Sequence, residues 1–395
     1  MKLSIKARDM TKKSTWLALL LFSILFFSVS PILERRCYSH SISAKCLPSF
    51  PYQDGWYGGD AAYSIRLDEK RTLWLFGDTF VSSEEGRQDR MDMKVVLGTT
   101  LAVSTCTTDN EFKIQYHLKK KNGEFISSFG EKDWLWPQDP FMVHHTLYVP
   151  LLVVEAKPEI KGPFKFKVVG HKIAKIKNFE GTDPNKWIID YIDLTPGIPQ
   201  SIIAFATTSV VHKNYVYYYP LYTSTRATLK IFGNILARIP INKLDNPAKA
   251  IEYFTKDGIW EKGLDPAQAK IVLGAGVSEL SVKYHADDKK WIAVYMSTRN
   301  NGDQLLYQVA DGPEGPWTEP MALIETIPEV DPKSPQYDKD NFCYAGKEHI
   351  EFAQERNLVV TYVCNSFEDF QKNTNFIRKN LFLYRPVVKN ISYFP

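Results

Sequence analysis

The sequence predicts an all-β fold, and within that class a five-bladed β-propeller preceded by an N-terminal export segment. Aromatic and β-branched runs recur from residue 56 onward, separated by polar turns, and no long amphipathic helix interrupts them. At intervals of roughly seventy residues, an acidic residue opens a segment of the same kind: Asp60, Asp139, Glu279, Glu348. Hairpin repeats of this length are typical of propeller blades.

The strands of the five predicted units follow one another along the chain. The first unit contains the runs AAYSIRL, TLWLFG, VVLGTTLAVST and FKIQYHL. The later units span 141–194, 205–254, 277–326 and 350–388. The third unit has Thr207 or Thr208 in place of the acid, and short helices are expected only near 245–251 and 264–269. A β-sandwich would also contain many short strands, but it would not place an acid at the head of one strand in each repeat.

The N-terminal segment is expected to direct export and not to join the fold. Basic residues precede the apolar run Trp16–Val29, which is the arrangement of a secretory signal peptide. The run is shorter than the ~20 apolar residues of a spanning helix, but Pro31 is a poor sequel to a cleavage site, so an uncleaved signal anchor is an alternative. The predicted organisation is a signal peptide or anchor at 1–30, a linker at 31–52 and the propeller at 53–390. The protein should be secreted, periplasmic or at the cell surface.

The charge balance gives no support to nucleic acid as a partner. The chain has 49 basic and 45 acidic residues, and leaving out residues 1–30 makes the two counts equal. A nucleic-acid-binding domain would need a strongly basic surface. We expect a monomer whose membrane contact is limited to the N-terminal segment.

The chain has five cysteines, which in an exported protein predict disulfides with one thiol left over. Cys343 and Cys364 flank the last hairpin and could pair across it. Cys37 and Cys46 could close a small loop, which would leave Cys106 unpaired, although other pairings stay open. No CxxC or HxxxH spacing indicates a metal site.

Asp60 and Asp78 are the first candidate site residues. Asp60 follows Gly58 and Gly59, which permit close approach of a ligand to the backbone, and Asp78 ends the run LWLFG. A hairpin brings the start of one strand close to the end of the next, so the two carboxyl groups should be near neighbours. Close carboxyl groups push their pKa values apart and create one proton donor and one charged base. The alternative is that Asp60 caps its own turn and Asp78 only ends a strand.

Further acids should reach the same mouth, because the first strand of each blade lines the propeller axis. Asp139 lies between two prolines, and Glu279 enters an apolar strand, where an unpaired carboxylate would be costly. Adjacent residues of a strand point to opposite faces, so of Glu348 and His349 only one, Glu348 by its phase, should face the axis.

An acid-lined mouth in an exported, aromatic-rich protein points to glycoside hydrolysis. That reaction needs one carboxyl group to protonate the leaving oxygen and a second to act as base or nucleophile. Carboxylates around a channel could alternatively hold Ca²⁺ as an axial structural ion, although the chain has no EF-hand sequence. No other cofactor is expected.

Four stretches of the chain carry a family resemblance: GWYGGDAAYSIRLDEKRTLWLFGDTFV at 55–81, ELSVKYHADDKKWIAVY at 279–295, GPEGPWTEP at 312–320 and CYAGKEHIEF at 343–352. They resemble a bacterial family of exported five-bladed propellers, long described as a domain of unknown function, that includes endo-acting D-arabinofuranases. The resemblance covers roughly residues 50–385, and its best motif is the GGD and FGDT pair. The layout is more remotely similar to the arabinanase, β-xylosidase and levansucrase propellers. A proline expected after His349 is missing.

The resemblance implies hydrolysis of a furanoside-containing polysaccharide such as arabinan. It implies that Asp60 and Asp78 are the catalytic pair, that Glu279 matches the general-acid position of the broader propeller hydrolases, and that Asp139 matches their modulator. Substrate contacts are expected from seven further residues: Trp56, Tyr57, Trp134, Trp136, Arg299, Glu348, His349.

Two other functions fit the same residues. A non-catalytic glycan-binding propeller would use the aromatic rim without releasing reducing ends. A surface scaffold for protein partners would pair its acids with Arg or Lys in the folded state.

Overall fold

The computed structural model describes residues 46–130, 133–162, 164–226, 229–354, 356–368 and 375–393. Over these residues strands dominate and the helical elements are single turns, so the predicted all-β class is confirmed. No helix in these ranges is long and apolar enough to cross a membrane. The predicted export segment at 1–30 and the linker up to residue 45 lie outside the described residues.

The first unit forms a four-stranded antiparallel sheet, as its four sequence runs predict. Its strands and the short ones around it are β1 Trp56–Gly59, β2 Tyr63–Arg66, β3 Arg71–Phe76, β4 Thr79–Val81, β5 Lys94–Val96, β6 Thr100–Cys106, β7 Phe112–His117, β8 Lys119–Lys121 and β9 Glu124–Ile126. The sheet order is β2-β3-β6-β7, and β1-β4-β5 and β8-β9 form small additional sheets. On β3, Leu73 and Leu75 pack into one core cluster and Trp74 and Phe76 into another, because successive side chains alternate between faces. This sheet is therefore buried on both faces.

The second unit is built around one long hairpin. Its strands are β10 Trp134–Pro137, β11 Phe141–Val143, β12 Thr146–Ala156, β13 Phe166–Ile176 and β14 Ile189–Asp193. The order is β10-β12-β13-β14, with β11 also paired to β12. Two 3-10 turns accompany it, Pro184–Lys186 and Thr195–Gly197.

The third unit contains two sheets, of orders β16-β17-β20-β21-β22 and β15-β18-β19-β23. The strands are β15 Ile202–Ala204, β16 Ser209–His212, β17 Tyr215–Tyr218, β18 Leu221–Arg226, β19 Leu229–Ile235, β20 Ala237–Pro240, β21 Glu252–Phe254, β22 Trp260–Lys262 and β23 Ile271–Leu273. The 3-10 turns Ile241–Lys243 and Pro247–Lys249 lie near the first of the two expected helices. At 264–269 the chain makes turns but no helix, because so short a segment cannot offset the cost of nucleating one.

The fourth and fifth units are simple antiparallel sheets of orders β24-β25-β26-β27 and β28-β29-β30. Their strands are β24 Ser281–His285, β25 Lys290–Met296, β26 Leu305–Ala310, β27 Met321–Ile324, β28 Asn341–Glu348, β29 Asn357–Ser366 and β30 Val387–Ser392. They are accompanied by the 3-10 turns Pro328–Val330 and Ile350–Phe352 and by the one-turn helix α1 Phe376–Lys379.

The first strand of the fifth unit lies before Glu348, and the prediction that Glu348 opens it was wrong. Glu348 is the last residue of β28, and the following IEFA run forms a tight turn in which the Phe352 N–H donates to the His349 carbonyl at 3.0 Å. The register of β28 shifts between Tyr344 and Lys347, where Ala345 has a φ of 57°. This bulge interrupts the two-residue period, so the strand is not evident in the sequence.

Hydrogen bonds join the first strands of successive units. The Thr208 hydroxyl donates to Asp139 at 2.9 Å and accepts from the Val282 N–H at 3.0 Å, which connects units two, three and four. Units four, five and one are connected by the Glu348 N–H to the Ser281 hydroxyl at 2.7 Å and by Ser64 to His349 Nδ1 at 2.8 Å. Two of the acids that the sequence singled out, Asp139 and Glu348, therefore take part in the connections between units. The count of five blades stays a prediction.

The disulfides differ in part from the expected pairs. Cys343 pairs with Cys364, as expected, across β28 and β29. Cys46 pairs with Cys106 and not with Cys37, which lies outside the described residues. This disulfide joins the start of the fold to the end of β6. The chain at Cys46 lies beside the segment that follows β6, because the Cys46 N–H donates to the Asn110 carbonyl at 3.0 Å. Pairing between distant segments of this kind leaves no trace in cysteine spacing.

Candidate active site

Asp60 and Asp78 lie side by side, as the hairpin predicts. The Asp60 N–H donates to the Asp78 carbonyl at 3.1 Å, and the Gly77 N–H donates to the Asp60 carbonyl at 2.8 Å. A Cβ added at Gly77 would lie 3.1 Å from the Asp60 Cβ. Glycine at this position therefore permits the close approach of the two segments.

The backbone after Asp60 is strained. Ala61 has a φ of 61°, a left-handed conformation that costs a residue with a Cβ about 1 kcal/mol or more. The Ala61 N–H donates to Asp60 Oδ1 at 2.9 Å. The turn thus fixes the direction of the carboxyl group, and strain of this kind is common at functional sites.

The two carboxylate oxygens of Asp78 differ in their hydrogen bonds. Its Oδ1 accepts three N–H groups, from the Gly98 backbone at 2.7 Å and from the indoles of Trp134 and Trp136 at 2.9 and 2.8 Å. An oxygen with three donors is an acceptor only, so a proton on Asp78 would have to sit on Oδ2. The sequence predicted Trp134 and Trp136 as sugar platforms but not as donors to this carboxylate.

Both carboxyl groups have raised pKa values. Burial raises the pKa of Asp60 to about 7, with further contributions from the negative charges of Glu279 and Asp78, against a hydrogen bond from Tyr344 that lowers it. Burial raises the pKa of Asp78 to about 6 against the lowering effect of its three N–H donors. Near neutral pH, Asp60 therefore holds a proton more readily than Asp78 does.

Tyr344 is a site residue that the sequence analysis missed. Its hydroxyl bonds the Asp60 carboxyl group, and burial raises the pKa of the phenol far above its usual range, so it stays a neutral donor. The signal available in the sequence was its place in the CYAGKE stretch. Its phase on a bulged strand concealed which way it points.

Glu279 is close to Asp60 but is paired with a cation. Lys347 Nζ lies 3.1 Å from Glu279 Oε1 and 4.0 Å from the centre of the Tyr63 ring. The Lys347 side chain is only 3% exposed, against 19% for Glu279. Glu279 therefore has an ion-pair partner, which neither Asp60 nor Asp78 has among the described residues.

Asp139 is also paired, with Lys283. Its Oδ2 accepts from Lys283 Nζ at 3.0 Å, from the Thr208 hydroxyl at 2.9 Å and from the Ser209 N–H at 2.8 Å. Burial would lower the pKa of Lys283, but Asp139 and neighbouring carboxylates raise it above its usual value. Asp139 therefore ties the second and fourth units together.

Glu348 and His349 are both interior groups, and the prediction that they contact substrate is not supported by their placement. Nε2 of His285 lies 2.9 and 3.1 Å from the two Glu348 oxygens. His349 bonds Ser64 and the Thr361 hydroxyl, and burial lowers its pKa well below the usual value, so it is neutral. Each is 3% exposed or less, because hydrogen bonds between adjacent sheets occupy them.

The remaining predicted contacts divide into core and surface residues. Trp56 and Tyr57 are fully buried, and Trp56 stacks on Tyr116 at 4.6 Å, so neither offers a face to a sugar and that prediction was wrong. Both side chains are buried because other aromatic rings pack around them. Arg299 lies exposed in the loop after β25, and its role stays a prediction.

Potential cavities and metal ligands lie elsewhere. A groove of about 760 Å³ is lined by residues such as Tyr222, Lys256 and Ile271, and by none of the site acids. Among the described residues, close groups of three candidate metal ligands are Asp338, Asp340 and Glu368 and a group that includes the bonded cysteines Cys343 and Cys364. The expected axial Ca²⁺ stays a prediction.

Comparisons with known proteins give a family and a fold. A family model described as a domain of unknown function (DUF5005) matches residues 49–394. No curated protein matches the chain in sequence. A candidate hydrolase from Bacteroides ovatus is similar in structure, with 15% identity, a TM-score of 0.60 and coverage of 85% of this chain and 86% of that one.

Two further solved structures are more distant. A GH43_1 enzyme from Xanthomonas citri has 11% identity and a TM-score of 0.43, and the match covers 88% of this chain and 90% of that one. An alpha-L-arabinanase mutant from Cellvibrio cellulosa has 12% identity and a TM-score of 0.43, and the match covers 86% and 92%.

Proposed function

The chain belongs to the family described as a domain of unknown function (DUF5005), and we propose that it is a glycoside hydrolase with Asp60 and Asp78 as its catalytic pair. One observation carries this proposal. The two aspartates are joined by a backbone hydrogen bond and have carboxyl pKa values raised to about 7 and about 6, and within the described part of the chain neither forms an ion pair with Lys, Arg or His. Asp139 and Glu279, in contrast, are each neutralised by a lysine.

Asp60 is the proton donor in this proposal. A carboxyl group with a pKa of about 7 holds its proton at neutral pH and can transfer it to the leaving glycosidic oxygen. Glu279 then acts through its charge, which helps to raise the pKa of Asp60. This role replaces the general-acid role that the family resemblance implied for Glu279.

Asp78 supplies the negative charge that the reaction needs opposite the donor. Its Oδ1 is occupied by three N–H groups, which leaves Oδ2 to act as base or nucleophile toward the anomeric carbon. The active form has Asp60 protonated and Asp78 ionised. With these pKa values that form is most populated between about pH 6 and about pH 7, so kcat/KM should follow a bell-shaped pH profile.

The substrate class in this proposal is a furanoside-containing polysaccharide such as arabinan. The GGD and FGDT motifs, which hold Asp60 and Asp78, support it through the family that they resemble. We also propose that the protein is exported, since a basic segment and an apolar run precede the fold.

The experiment that tests the proposal is release of reducing ends from arabinan and related glycans. Asp60→Asn and Asp78→Asn should each lower the rate by about a thousandfold or more, since each removes a group that the reaction requires. Asp257→Asn is a matched control, because Asp257 is exposed in the turn between β21 and β22. Wild-type protein that releases no reducing ends from any of these glycans would contradict the proposal.

A non-catalytic propeller is the second candidate, and one observation favours it. Asp139, Glu279 and Glu348 are each paired with a basic side chain, as a scaffold would require. It predicts that glycan or protein binding survives in Asp60→Asn and Asp78→Asn and that wild type shows no turnover.

A further inference from the structure

Two phenylalanines extend the indole pair away from Asp78. Phe166 is the first residue of β13, and Phe164 lies two residues before it. The Phe166 ring packs edge-on against Trp136 at 4.7 Å and against Trp134 at 5.9 Å. Phe164 continues the series, with its ring centre 5.8 Å from that of Phe166.

A second group of rings leads back to Asp60 from the fifth unit. Phe342 of β28 stacks on Phe367 at 4.1 Å and on Tyr344, the donor to Asp60, at 5.5 Å. Phe164 meets this group from the other side, 6.4 Å from Phe342 and 6.3 Å from Phe367.

The result is a continuous series of rings between the two catalytic carboxyl groups, which we call the aromatic arc: Trp134, Trp136, Phe166, Phe164, Phe367, Phe342, Tyr344. It begins at the indoles that donate to Asp78 and ends at the phenol bonded to Asp60. Its two halves come from the second and fifth units, whereas both carboxyl groups belong to the first.

The arc is not ordinary core. Phe164 is 42% exposed, and the other members are partly exposed, unlike the fully buried Trp56, Trp74 and Phe76. A contiguous apolar surface exposed beside polar groups usually marks a ligand site. Because the arc begins at the donors to Asp78 and ends at the donor to Asp60, a chain bound along it would lead to the proposed catalytic pair.

We propose that the aromatic arc is a saccharide-binding subsite, on which sugar units beyond those at the scissile bond stack with their C–H faces. This inference rests on the proposed hydrolase function and adds residues that determine its preference for long substrates. Sugar rings have apolar faces and polar edges, and rigid aromatic surfaces with a few fixed hydrogen-bonding groups bind such ligands.

The test compares two substrates of the full-length protein: arabinan and the shortest oligosaccharide that wild type cleaves. Phe164→Ala should lower kcat/KM on arabinan about tenfold, mainly through KM, and change it less than about twofold on the short substrate. Phe164→Trp should retain activity on arabinan, because it keeps an aromatic face. Phe232→Ala is the matched control, since Phe232 is 47% exposed and belongs to β19.

A second measurement separates this inference from the proposed function. Binding of arabinan to the Asp60→Asn protein is followed by tryptophan fluorescence, with and without Phe164→Ala. Weaker binding in the double variant supports the arc even if wild type proves inactive. Equal kinetics of Phe164→Ala and Phe232→Ala on arabinan, equal binding by the two Asp60→Asn proteins, or no binding at all would overturn it.

Discussion

The ammonium group of Lys347 lies 3.1 Å from the Glu279 carboxylate and against the face of the Tyr63 ring. This ion pair distinguishes Glu279 from Asp60. Glu279 is paired with Lys347, and its negative charge helps to raise the pKa of Asp60, which has no such partner among the described residues. In the proposed reaction, Asp60 therefore holds the proton for the leaving group.

The first prediction concerns Glu279→Gln. Loss of the negative charge removes one of the causes that raise the pKa of Asp60, so the alkaline limb of kcat/KM should move to lower pH. Activity at the acidic side of the optimum should survive within about tenfold. If activity is instead lost at every pH and returns with a substrate that has a good leaving group, Glu279 is the donor and the assignment to Asp60 is wrong.

Trp136→Phe tests the state of Asp78. The substitution keeps an aromatic ring but removes an N–H that lowers the pKa of Asp78, so that pKa should rise. The acidic limb of the pH profile should then move to higher pH, because the base must be ionised. Trp317→Phe is the control, since the Trp317 indole N–H has no hydrogen-bond partner among the described groups. An unchanged acidic limb would assign it to another residue.

Gly77→Ala tests whether close approach of the two segments is required. Its new Cβ would press on the Asp60 Cβ at 3.1 Å, and we expect a tenfold or greater loss of kcat with a smaller loss of stability. Gly274→Ala introduces the same methyl group into open space, without a positive φ, and should leave activity unchanged. Equal activity of the two variants would show that the site tolerates displacement of Asp60.

The two disulfides should differ in their contribution to stability. Cys46–Cys106 closes a loop of 60 residues and Cys343–Cys364 one of 21. Chain entropy then predicts losses of about 4 and about 3 kcal/mol when each pair is replaced by serine. Denaturant unfolding of the two double variants measures this. A larger loss for the shorter loop would show that native contacts around it outweigh the entropy of loop closure.

Asp60→Asn should make the fold more stable above pH 7. The folded-state pKa of about 7 lies above the ordinary aspartate value of 3.8, so the folded protein binds this proton more tightly than the unfolded chain. Wild type consequently loses stability as the pH rises from about 4 to about 7, while the variant does not. The expected difference above pH 7 is on the order of 1–4 kcal/mol. Thermal unfolding at several pH values measures it, and a variant that is less stable at high pH would assign Asp60 a structural role.

The strands and the acid pair could be predicted from local patterns. The runs around Leu73 and Trp291 are short, apolar and rich in aromatic and β-branched residues, as buried strands are, and the hairpin geometry alone placed Asp60 beside Asp78. The predictions that failed concern side chains whose surroundings depend on packing between distant segments. Trp56 and Trp134 are both tryptophans beside an acid in the sequence, but one is enclosed by Tyr116 and Phe76 and the other donates to Asp78.

The ion pairs of Glu279 and Asp139 could not be predicted from the sequence either. Lys347 and Lys283 are unremarkable lysines on strands, and they become partners of Glu279 and Asp139 only because hydrogen bonds bring successive first strands together. Tyr344 was missed because a bulge shifts the register of β28. Alternation predicts which face a residue occupies only where the strand is regular.

The measurement that tests the central claim most directly is the pH profile of reducing-end release from arabinan by wild type and by Asp60→Asn. Wild type should be most active between about pH 6 and about pH 7, and Asp60→Asn should be folded and inactive throughout. Turnover by the folded Asp60→Asn protein at a rate near that of wild type would contradict the claim that Asp60 and Asp78 carry the reaction.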